Sequence, residues 1–198
     1  FAEAGVDFRK QTVFMEILVG VDDAPEQAWA RIEAVRKAFE QFYGDDRPAG
    51  LIYPVSRIPN LDGVVEPQPR VVSGDVEILR SGKLEHGFST WNAIRHGGIT
   101  EVMASAVGGD DASAILDGID ARVQEAGGAG LKQNGIFNNA YIAAGNDSTA
   151  NRESLTKFNP SFTTWYEGTS PAARTAQYVG GIQQQEFAYG VSNRSIFA

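Results

Sequence analysis

Hydrophobic and polar positions change their period several times along this 198-residue chain, and each change predicts an element. Residues 13–21 read Val-Phe-Met-Glu-Ile-Leu-Val-Gly-Val. Their β-branched and aromatic side chains predict a buried strand, against a helix that would put Phe14, Ile17, Leu18 and Val21 on one face. A 3.6-residue period follows. Ala28, Trp29, Ile32, Val35, Phe39 and Phe42 share one face of a helix predicted over 24–43. Asp23 is its cap, Pro25 lies in its first turn, Glu26 completes a capping box, and Gly44 ends it.

Regular spacing is lost between 45 and 75, where five of the eight prolines (Pro48, Pro54, Pro59, Pro67, Pro69) fall. Prolines this close together allow only short extended pieces, at 51–55 and 64–66. Val76-Glu-Ile-Leu79 predicts another strand. From Ser89 the pattern reads as helical, with Trp91 and Ile94, a break at Gly97-Gly98, and a second run over 99–107. Asp110 or Asp111 caps a further helix carrying Ile115, Leu116, Ile119 and Val123 on one face, closed by Gly127-Gly128.

The sum predicts an α+β fold: a compact domain over 8–145 with one long amphipathic helix and a small sheet, in which a ferredoxin-like arrangement is one option. Residues 146–157 read as a connector, and 158–198 as an extended irregular tail. That tail holds two basic and two acidic residues and no leucine, but eight aromatics: Phe158, Phe162, Trp165, Tyr166, Tyr178, Phe187, Tyr189 and Phe197. Disordered tails are poor in aromatics, so this segment is expected to be ordered. It either completes its own domain or docks on a neighbour, as aromatic-rich surfaces do. The docking reading makes the eight aromatics the partner-binding residues.

Charge narrows the function. The chain has 17 basic and 25 acidic side chains, a formal net charge of -8, divided equally between its halves. No basic module is present, which argues against nucleic acid as a partner. No apolar run approaches the roughly 20 residues needed to span a bilayer as a helix. With no cysteine, thiol catalysis and cysteine-held metal or cofactor sites are excluded. No cofactor is required by any motif. The first residue is Phe1, so processing from a precursor or trimming is expected, and a plastid or a virion fits a processed chain.

Candidate chemistry is sparse. His86 and His96 are the only histidines, and their spacing matches no metal-ligand motif. His96-Gly97-Gly98 is similar to an oxyanion-hole turn, but the Gly-x-Ser-x-Gly nucleophile elbow that such a turn serves is missing. With no converging catalytic set, the main expectation is a non-enzymatic linker or structural subunit of a larger assembly, such as a photosynthetic antenna supercomplex or a virion. The tail would then dock on other protein subunits, and His86, His96 and Trp91 would be available to contact a pigment or ligand. The alternative is a small-molecule enzyme or binding protein with a pocket near His86 and His96, lined also by Trp91 and Glu101.

Overall fold

The strand β1 (Thr12–Gly20) alternates between buried and half-buried positions, one face turned to the core and the other partly open. Met15, Ile17 and Val19 are almost fully buried on one face, and Phe14, Glu16 and Leu18 lie on the other. The computed structural model describes residues 5–21, 25–55, 58, 64–109, 111–143, 148–182 and 187–198, without the side chains of 148–151. Asp23, Pro59 and Asp110 therefore lie outside the described residues. A one-turn helix α1 (Phe8–Gln11), capped by Asp7, leads into β1. After β1 come a 3-10 turn (Pro25–Gln27) and α2 (Ala28–Tyr43). The strand β2 (Ala49–Val55) then returns parallel to β1, with Glu16 opposite Leu51. A parallel pair needs such a crossover. The face of α2 that carries Ile32, Phe39 and Tyr43 closes over Met15, Ile17, Val19 and Ile52.

Three further strands complete this first sheet: β3 (Val65–Val71) and the two-residue strands β5 (Leu84–Glu85) and β6 (Phe88–Ser89), in the order β3-β1-β2-β6-β5. The second sheet has six strands: β4 (Glu77–Arg80), β7 (Trp91–His96), β8 (Ile99–Gly108), β9 (Gly135–Ala143), β10 (Ala173–Val179) and β11 (Tyr189–Phe197). Their order is β10-β9-β11-β8-β7-β4. Over one face lie α3 (Ala112–Glu125), α5 (Ser148–Trp165) and the short α4 (Leu131–Asn134). The core on that face joins Ile115, Leu116, Ile119 and Val123 to Ala140, Ile142, Phe158 and Val191. The other face packs against the first sheet through Leu51, Tyr53, Tyr141, Val179 and Ile182, and through Val13, Ile94 and Met103. The layers run helix, sheet, sheet, helices.

This architecture corrects the expected one. Among the described residues there are eleven strands in two large sheets, not one long helix on a small sheet in a ferredoxin-like arrangement. The helical reading of 89–107 fails because β7 and β8 are paired antiparallel from Trp91–Ala104 to His96–Ile99. Gly97 and Gly98, expected to break a helix, have φ of 58° and 81° and form the two-residue turn between them. The extended tail is also absent. Most of its first part is helix α5, and its last part, β11, is hydrogen-bonded to β8 on one side and β9 on the other.

Candidate active site between the two sheets

The strand period places the site. On β1, Glu16 points away from α2 towards the second sheet, and on β3 the register sets Arg70 opposite Phe14, on the same face. In the second sheet, Ser192 pairs with Ser105 and Asn139, and Arg194 with Met103 and Phe137, so these residues share the face turned to β1. All of them except Ser105 line a cavity of about 160 Å³. An apolar cavity of about 150 Å³ accepts one benzene molecule, so this space suits a compound built on a single ring.

Two polar clusters meet there. In the first, Tyr141 Oη donates a short hydrogen bond to Glu16 Oε1, and Tyr53 Oη lies 3.4 Å from Glu16 Oε2. The two tyrosine rings are 4.9 Å apart, and Ser192 Oγ is 3.4 Å from the Tyr141 hydroxyl. Burial, then the charge of Glu16, raises the pKa of both tyrosines well above the ordinary value, so both keep their protons and act as donors. In the second cluster, Arg70 Nη2 is 2.6 Å from Glu101 Oε1, and Arg194 Nε donates to that same oxygen. The Glu101 side chain is 15% exposed, and those of Arg70 and Arg194 are 38% and 43% exposed. A guanidinium has five N–H donors in a planar fork. Each guanidinium places one nitrogen on that oxygen, and both arginines line the cavity. Among the described residues no group of His, Asp and Glu is arranged to hold a metal ion.

The residues singled out from sequence are dispersed. His96 sits at the exposed end of β7, its Nδ1 3.0 Å from the Asp75 carbonyl oxygen. His86 lies in the turn between β5 and β6, edge-on to Phe187 at 4.9 Å. Trp91 is buried on the helix side of the second sheet, away from the cavity. Of the four side chains expected to form one pocket, Glu101 alone reaches the inter-sheet site. The aromatics of 158–198 are largely internal. Phe158, Phe162, Tyr166 and Tyr189 are buried with α3 and the second sheet, while Trp165 and Phe197 pack at the margin of that core. Phe187 packs against the core between the sheets, and Tyr178 is 46% exposed on β10. Glu16, Arg70, Arg194, Tyr53 and Tyr141 were missed. One signal was present, a lone carboxylate inside an otherwise apolar strand, because a charge placed there needs partners.

No protein-family model matches the chain, and no curated protein sequence does. Solved structures do. A crystal structure of a chorismatase superposes on 98% of this chain and 66% of its own, with a TM-score of 0.61 at 12% identity. A YjgF-family protein from Neisseria meningitidis matches 62% of this chain and 96% of its own, with a TM-score of 0.45 at 17% identity. RidA from an Antarctic Psychrobacter matches 56% and 88%, with a TM-score of 0.42 at 16% identity. The chain thus has a fold of the chorismatase type. That fold takes in nearly every residue, including those expected to form a free docking tail. The expectation of a linker or structural subunit of an antenna or virion is corrected accordingly: the segment meant to reach a neighbour supplies a helix and an interior strand of the chain's own sheet. No described helix is long and apolar enough to cross a membrane.

Proposed function

We propose that the protein is a small-molecule enzyme working in the inter-sheet cavity, with a small ring-sized carboxylate as its substrate. The observation that carries this reading is the convergence of Arg70 and Arg194 on Glu101 beside a carboxylate, Glu16, held by two tyrosine hydroxyls. The two guanidiniums bind the substrate carboxylate by charge-assisted, bidentate hydrogen bonds and fix its orientation. Asn139 and Ser192 add neutral polar contacts on the same wall. Glu16 is then placed to take a proton from a substrate atom or a bound water and to return it later. Tyr141 and Tyr53 remain protonated and stabilise the Glu16 carboxylate between those steps. The likeness to a chorismatase makes chorismate the first substrate to try.

Calorimetric titration with benzoate and with chorismate, paired with chromatography of a chorismate incubation, tests this. Arg70→Ala and Arg194→Ala are each expected to weaken binding about tenfold or more, the worth of a hydrogen bond to a charged group. Glu16→Gln is expected to bind like the unaltered chain while losing about 10²- to 10⁴-fold in turnover, the usual contribution of a general base. Binding that is indifferent to both arginine substitutions would remove the cavity from consideration.

A further inference from the structure

The four outer strands of the two sheets are not protected alike. An edge strand exposes unpaired N–H and C=O groups, and proteins usually blunt such edges with prolines, short strands or covering segments. In the first sheet, β3 carries Pro67 and Pro69, and β5 has two residues. In the second sheet, β4 has four residues. The remaining edge, β10, is different: it runs for seven residues, contains no proline, and six of the seven are exposed. Alternate residues along it turn their backbone groups outward.

Beside the start of β10 lies an open groove of about 740 Å³, walled by the C-terminal half of α5 and by the turn that follows it. Phe162, Tyr166 and Arg174 line it, with Thr163, Thr169 and Glu167 at its polar margin. Arg174 faces the helix from β10, its guanidinium 4.5 Å from the Phe162 ring centre and 5.8 Å from that of Phe158. Among the described residues no carboxylate pairs with Arg174; its contacts are these two rings. A groove between a helix and an unblunted edge strand is the geometry in which an extended peptide adds as a further strand.

We propose that this edge docks an extended peptide that pairs with β10 and sets the carboxylate of an acidic side chain against Arg174. Charge argues against the β10 of a second copy as the occupant. Residues 173–179 (Ala-Arg-Thr-Ala-Gln-Tyr-Val) include no acid, so β10 pairing with another β10 would bring a second arginine and no counter-charge.

The test is to pan the full chain against a random nonapeptide phage library, then measure the enriched peptides by fluorescence anisotropy and hydrogen exchange. Enrichment of acidic peptides that slow exchange at Ala173–Val179 and bind Arg174→Gln about tenfold or more weakly supports the proposal. Arg174→Gln keeps a long stem over Phe162, and its thermal transition checks that the fold is intact. Three results would overturn the proposal. They are no enrichment, enriched peptides indifferent to Arg174→Gln or protecting another surface, and self-association in sedimentation that protects β10 without peptide.

Discussion

At the residue scale, Glu16 and its two tyrosines are the most consequential group. A carboxylate between two sheets is tolerated because Tyr141 and Tyr53 supply hydrogen bonds in place of the water it has lost. The same contact links stability to alkaline pH. Tyr53 and Tyr141 hold their protons more tightly in the folded chain than in the unfolded one, where the pKa is about 10. Tyr43 and Tyr166 are raised as well, by burial. The unfolded state therefore releases protons first. The stabilisation is complete below about pH 10 and is lost as pH climbs past that value towards the raised folded values. Urea midpoints measured across the alkaline range should fall above about pH 10. The fall should be shallower in a Tyr53→Phe, Tyr141→Phe double variant. An equal slope in both proteins would mean that these tyrosines are not held as described.

At the element scale, both parallel crossovers, β1–α2–β2 and β9–α5–β10, depend on close fits that can be broken singly. Gly50 on β2 lies against β1, and a Cβ there would overlap the Met15 carbonyl oxygen and press on Phe88. Gly50→Ala is expected to cost about 3 kcal/mol, at the upper end for overpacking, read as a shift in the urea midpoint. Phe158 on α5 is fully buried against Phe162 and Tyr189. Phe158→Ala should destabilise the chain by about 3–5 kcal/mol. A free docking tail would leave unfolding unchanged by that substitution, so the measurement separates the two arrangements directly. Elements with a long period were legible: β1, α2 and α3 appear close to where the apolar spacing puts them. The β7–β8 hairpin was not. Trp91 and Ile94 are three apart and fit a helix, yet they lie on opposite faces of β7, and pairing with β8 decides the matter.

At the scale of the whole molecule, the end of the chain closes the fold. Because β11 lies between β8 and β9, removing residues 187–198 would expose the inner edges of both neighbours and take Arg194 and Ser192 from the site. Circular dichroism of that truncation should show loss of cooperative unfolding; a cooperative transition would mean that β11 is an accessory strand. The site belongs to this scale too. Its residues come from β1, β2, β3, β8, β9 and β11, and even the hydrogen-bonded pair Glu16 and Tyr141 is 125 positions apart.

The amino-acid sequence alone determined the acidic balance, the absence of thiol chemistry, and the elements whose apolar residues repeat over several turns or along a strand. Local spacing suffices for these, because each such face must be buried whatever it meets. Tertiary structure decided which faces meet. Phe158, Phe162, Trp165 and Tyr166 recur at helical spacing, but spacing does not say whether such a face is buried within the chain or on a neighbour; their partners, on α3, β8 and β9, are distant in the chain. Arg70, Glu101 and Arg194 are ordinary charged residues in sequence and become a site only when the register of two facing sheets brings both guanidiniums onto one carboxylate oxygen.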